Sequence, residues 1–125
     1  MSEKTDAAAV LERLFATIDG RRGADPARSY SAKLFAKGTE KIAEKLGEEA
    51  VETIVAALSG DRRRLAEESA DLLYHLLVLW ADRGLAPETV WTELARREGI
   101  SGIAEKKSRG GGKRSTKPTK KDSTP

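Results

Sequence analysis

Residues 39–60 read TEKIAEKLGEEAVETIVAALSG and residues 61–84 read DRRRLAEESADLLYHLLVLWADRG. In both, apolar residues recur at separations of three and four, the period of a helix buried along one face, and neither shows the alternation of a half-buried strand. Gly60 stands where a helix C-terminal glycine belongs and Asp61 is a good N-cap, so two consecutive long helices are expected, joined at Ser59–Gly60. The first should be capped by Thr39 and run to about Leu58; the second should reach about Arg83 and Gly84. So short a connection makes them an antiparallel pair.

The flanking sequence is helical as well. Asp6 can cap an earlier helix whose stripe is Val10, Leu11, Leu14, Phe15 and Ile18, broken by GRRGADP at residues 20–26. A short helix over Tyr30 to Lys37 should stop at Gly38. Pro87 suits the first turn of a last helix, to about Arg97, carrying Val90, Trp91 and Leu94 inward. The expected fold is therefore all-α, a bundle of four to five helices.

Among 125 residues there is no cysteine and one histidine, which excludes a disulfide scaffold, an iron–sulfur centre, a thiol nucleophile and a His-rich zinc site. Any bound metal must sit on oxygen. The longest apolar run, Leu76 to Ala81, is far short of the roughly 20 residues of a membrane span, and MSEKTD has no signal-peptide character, so a cytoplasmic protein with no membrane partner is expected. Charge is unevenly divided. Residues 105–125 carry +6 and the other 104 carry −3. The segment RGGGKRSTKPTKKDSTP lacks apolar residues, so a folded domain is expected over 1–109 and a disordered basic tail over 110–125. Such a tail can hold polyanions through phosphates, but low-complexity termini are common and a dedicated nucleic-acid role is not expected.

The helix beginning after Asp61 is apolar nearly all round from Leu72 onward, with Leu65, Leu72, Leu76 and Leu79 on one side, Leu73, Leu77 and Trp80 beside them, and Tyr74 and Val78 on the opposite flank. The rest of so small a chain cannot cover it on every side. A homodimer packed through these central helices is expected, with Val78 facing outward into the interface.

Both long helices also carry acids at matched spacing. Glu49 and Glu52 lie in GEEAVE, Glu68 and Asp71 in EESAD, and each pair is i, i+3, on one face of its helix. An antiparallel pairing brings the four together. Unit charges about 4 Å apart repel by roughly 4 kcal/mol at an intermediate effective dielectric, so the cluster calls for a hard divalent cation. Mg²⁺, which takes oxygen ligands and shares its shell with phosphates, fits a carboxylate set without histidine or cysteine. Solvated acids on a helix surface, with Lys45 and Glu49 as an ordinary i, i+4 pair, are the plainer reading of the first helix. Gly47 argues against it, because glycine inside a helix costs roughly 1 kcal/mol and marks close approach by a backbone or ligand. His75, one turn beyond Asp71, either touches a ligand or metal-binding carboxylate or is a satisfied interface histidine.

These strings resemble a known family. GEEAVE followed by EESAD is similar to the ExxE and ExxD motifs of the all-α nucleoside triphosphate pyrophosphohydrolases, the MazG-like superfamily. SYSAKLFAKGTEKIAEKLGEEAVETIVAAL, ADLLYHLLVLWADRGL and ARREGISGIAEKKSR narrow the resemblance to the phosphoribosyl-ATP pyrophosphohydrolases across nearly all of residues 8–109. The resemblance implies Mg²⁺-dependent hydrolysis of phosphoribosyl-ATP to phosphoribosyl-AMP and pyrophosphate, the second step of histidine biosynthesis, in a helical dimer. It carries Glu49, Glu52, Glu68 and Asp71 over as metal ligands. Glu48 becomes a further ligand or base, Lys45 a phosphate contact, and Lys41 and Lys37 more distant ones. A housecleaning hydrolase of noncanonical nucleoside triphosphates would use the same acids, and a helical oligomerisation module with a nucleic-acid-binding tail is the alternative from another class.

Overall fold

The structure is a computed structural model, and it describes residues 6–100 together with Lys106, Lys107 and Arg109. Among the described residues the regular elements are five helices, with no strand: α1 (Ala7–Asp19), α2 (Tyr30–Lys37), α3 (Thr39–Ser59), α4 (Arg62–Asp82) and α5 (Pro87–Arg97). The tail expected to be disordered lies outside the described residues. None of the helices described is long and apolar enough to cross a membrane. The chain divides at Pro87 into two compact units, α1 to α4 in the first and α5 in the second.

The boundaries follow from local chemistry. Asp6 accepts a hydrogen bond from Ala9 N, Ser29 from Ala32 N and Asp61 from Arg64 N, so three helix starts satisfy a backbone donor through a side chain. Gly60 ends α3 at φ 82°, the left-handed region that glycine enters without strain. Thr39 does not cap α3, contrary to expectation. Gly38, at φ 97°, is the N-cap and makes no side-chain bond, while the Thr39 hydroxyl donates to Asp82 Oδ2 at 2.5 Å and ties the start of α3 to the end of α4.

The α3–α4 hairpin is the most extensive packing in the first unit, with α1 laid on α4 and α2 on both. Ile18, Leu34, Ile42, Leu77, Val78 and Ala81 form one buried cluster drawing on all four helices, flanked by Leu11, Leu14, Phe15, Phe35, Tyr74, Leu79 and Trp80. Val78 is 0% exposed within this single chain. The expectation that it faces outward is therefore overturned, because α1 and α2 cover the flank of α4 that the helical wheel left open. The uncovered apolar surface belongs mainly to α3: Val51, Ile54, Val55 and Leu58 are exposed at i, i+3, i+4 and i+7, Leu58 at 84%, with Leu73 of α4 exposed as well. In α5 Val90 and Trp91 are partly buried as expected, whereas Leu94 is exposed.

Candidate functional site

Thr53 sits at the middle of the hairpin, its Oγ1 2.8 Å from Glu49 O on its own helix and 3.2 Å from Glu68 O on α4. The single hydroxyl proton is shared between two carbonyls, and the contact sets the register of α3 against α4. In that register Glu49, Glu68 and Asp71 converge, each offering one carboxylate oxygen within 4.8 Å of the other two. Glu49 and Glu68 are partly buried and Asp71 is exposed.

The fourth expected acid, Glu52, stands beside this trio rather than in it. Its Oε1 is 3.6 Å from Arg64 Nη2. The charges nevertheless act together: partial burial raises the Glu68 carboxyl above the ordinary carboxylate range, and Glu52, Glu49 and Asp71 push it further, with Arg64 opposing. A cluster that raises the proton affinity of its own member is one a cation would relieve. Three convergent carboxylate oxygens, without sulfur or imidazole, suit a hard divalent ion such as Mg²⁺.

Glu48 points elsewhere. It pairs with Lys45, Nζ to Oε1 3.2 Å, in place of the Lys45–Glu49 pair expected from sequence. That hydrogen bond and charge, with smaller contributions from Tyr30 and Glu49, hold the Lys45 ammonium above its usual pKa, so it is a permanent cation one turn from the trio. Lys45 and Glu48 line a groove of about 220 Å³ together with Tyr30, Lys33, Leu34, Lys37 and Lys41. The expected phosphate contacts Lys37, Lys41 and Lys45 thus share one cavity with Lys33 and Tyr30, which sequence reasoning missed. The signal for Lys33 was legible, since it lies four residues before Lys37 on α2.

His75 is 5% exposed and both ring nitrogens are engaged. Nδ1 is 2.8 Å from Asp71 O, a carbonyl that can only accept, so this nitrogen carries the proton. Nε2, 3.2 Å away from Tyr30 Oη, then accepts from the phenol in the neutral imidazole. The histidine bonds the backbone of Asp71 rather than its carboxylate, and it supports Tyr30 in the groove wall. Tyr74 completes this layer, stacked on Tyr30 with ring centres 6.1 Å apart and donating to Ser31 Oγ at 3.1 Å. Beyond the backbone of its own helix, a Cβ at Gly47 would meet no atom of the described residues within 4 Å, so the close approach expected from its position is not seen among them.

Comparison with known proteins bears on the same residues. The family model described as phosphoribosyl-ATP pyrophosphohydrolase matches residues 11–98, which include the acids and the groove lysines. A phosphoribosyl-ATP pyrophosphatase of Azospirillum brasilense is 63% identical over 109 residues, 87% of this chain and 98% of the relative. One from Paramagnetospirillum magneticum is 65% identical over 100 residues, 80% of this chain and 92% of its own length. One from Dinoroseobacter shibae is 63% identical over 100 residues, covering 80% and 98% respectively. Such identity, over nearly the whole of these relatives, together with the family model's match, establishes that the chain belongs to the phosphoribosyl-ATP pyrophosphohydrolase family.

Proposed function

We propose that the chain hydrolyses phosphoribosyl-ATP to phosphoribosyl-AMP and pyrophosphate with Mg²⁺, as a homodimer. The observation that carries this reading is the convergence of Glu49, Glu68 and Asp71 one helical turn from the cation Lys45. Those three carboxylates would hold the metal, with Glu52 the fourth ligand. When bound, the ion neutralises phosphate charge and acidifies water.

The chain's own groups supply the rest. Lys45 holds a phosphate oxygen and offsets its charge from a partly buried position. Glu48, next to Glu49 in the chain and balanced by Lys45, is the carboxylate that can accept a proton from the attacking water. Departure of the anionic pyrophosphate requires no covalent intermediate. Assembly follows from the uncovered stripe of Val51, Ile54, Val55 and Leu58, whose spacing is that of a helix packed against another helix. A second copy buries it and lies alongside Glu52, because Glu52 and the stripe residue Val55 are three apart on α3 and so share a face.

Pyrophosphate release from phosphoribosyl-ATP, ATP and dCTP, with Mg²⁺ and with chelator, tests the reading. Turnover of phosphoribosyl-ATP far above the other two, abolished by chelator, is expected. Equal rates on all three would overturn the assignment in favour of a general nucleotide hydrolase.

A further inference from the structure

The lysine groove leads away from the acids along α3 and onto α2. Lys41 and Glu49 are eight residues apart on α3, about 12 Å along the axis at 1.5 Å per residue. Lys33 and Lys37 of α2 line the same groove with Lys41. Lys41 is paired with Glu44 at 3.2 Å and Lys45 with Glu48. Lys33 and Lys37 have no acidic partner among the described residues, although both flank a concave site. Two unpaired ammonium groups four residues apart in a groove favour an anion.

Size narrows the choice. At about 220 Å³ the groove is smaller than the roughly 300–1,000 Å³ of pockets that enclose a whole drug-sized ligand, so it takes part of a long substrate rather than the whole. Phosphoribosyl-ATP has phosphate at both ends, a triphosphate on one ribose and a phosphate monoester on the other, with adenine between. ATP lacks the second end. We propose that Lys33 and Lys37, at the α2 side of the groove, bind the phosphate monoester of the ribosyl group and so distinguish phosphoribosyl-ATP from ATP.

The proposal rests on the phosphoribosyl-ATP reading and deepens it. Lys45, between the two ends on α3, belongs to the triphosphate side because Glu49 of the acid trio lies one helical turn further along the same helix. Tyr30 lines the same groove, its hydroxyl anchored to His75. A lysine–phosphate contact is charge-assisted, so loss of either lysine weakens binding about tenfold, and added salt weakens it too.

Two measurements test this on the full chain with Mg²⁺. In the first, Lys33→Gln, Lys37→Gln and the double variant are assayed on phosphoribosyl-ATP and on ATP. The kcat/KM ratio between the substrates should fall about tenfold for each single variant, through KM for phosphoribosyl-ATP. An equal loss on both substrates, or no loss, overturns the proposal. In the second, amide NMR shifts are followed with ribose 5-phosphate as the probe and ribose and inorganic phosphate as controls. Saturable shifts at Lys33 and Lys37, absent with ribose and weaker with inorganic phosphate, support the site. Shifts centred on Glu49 and Asp71, equal response to inorganic phosphate, or none at all overturn it. This second readout does not depend on turnover. Ribose 5-phosphate binding in a chain that fails to hydrolyse phosphoribosyl-ATP would sink the proposed activity and leave the groove assignment standing.

Discussion

Thr53 of α3 reaches the backbone carbonyl of Glu68 on α4, Oγ1 to O 3.2 Å, and thereby fixes which acids face one another across the hairpin. A slip of α3 along α4 would carry Glu49 away from Glu68 and Asp71. Thr53→Val keeps the shape and removes the hydroxyl, so it should cost about 1 kcal/mol of stability. Mg²⁺ affinity should fall alongside, because the register is less constrained. Thermal melts with and without Mg²⁺ read both effects, and a variant with unchanged melting and metal affinity would show that helix packing alone sets the register.

Removing one acid should separate activity from stability. Glu68→Gln or Asp71→Asn should lower Mg²⁺-dependent hydrolysis by orders of magnitude while the helical circular dichroism spectrum persists. Without metal the Glu68→Gln protein should melt higher than the parent at neutral pH. The sign follows from linkage: the folded-state pKa of Glu68 is raised, so its ionisation opposes folding and the parent gains stability as pH falls through that raised value. Glutamine makes that gain independent of pH. Comparing melting temperatures between pH 7 and pH 4 checks it.

Glu93 on α5 behaves in the opposite way. Hydrogen bonds from Arg96 and then from Arg97 lower its carboxyl to about 2. Its Oε2 lies 2.8 Å from Arg96 Nη2 and 3.0 Å from Arg97 Nε. A depressed folded-state pKa contributes stability that is present above the ordinary value of 4.5 and is lost as pH falls toward 2. The Glu93 carboxyl carbon should therefore titrate near 2 by NMR, and α5 amide protection should decline over the same interval. Titration at an ordinary glutamate value would show that the arginines are too solvated to hold it.

The two apolar surfaces of the hairpin predict different failures. Val78→Glu places a charge in the packed core and should prevent folding, since an unpaired buried charge costs several kcal/mol. Ile54→Glu alters the exposed stripe of α3 and should leave a folded, helical monomer that has lost activity. Light scattering with circular dichroism distinguishes them. A wild-type monomer at micromolar concentration that still hydrolyses substrate would remove the role given to the stripe.

Gly47→Ala tests why a glycine occupies the middle of α3. With open space around its Cβ position, alanine should stabilise the helix by up to about 1 kcal/mol. A higher melting temperature accompanied by a raised KM would mean that the open space belongs to substrate.

Much of this protein is dictated locally. The caps at Asp6 and Asp61, the stop at Gly60 and the helix start at Pro87 follow from side chains and backbone preferences within a few residues, so the helices could be read directly from the chain. The i, i+3 acid pairs are equally local, because a helix alone puts both members on one face. Which acids meet across two helices depends on register, a property of packing that no spacing within one helix encodes. Tertiary structure joined Glu49 to Glu68 and Asp71 and left Glu52 facing Arg64. It also buried Val78 rather than the α3 stripe, because a helical wheel shows how many faces of α4 are apolar but not which of them α1 and α2 will cover. The lysine groove belongs to the same class: its cations come from α2 and α3, and only the docking of one helix against the other makes them line a single cavity.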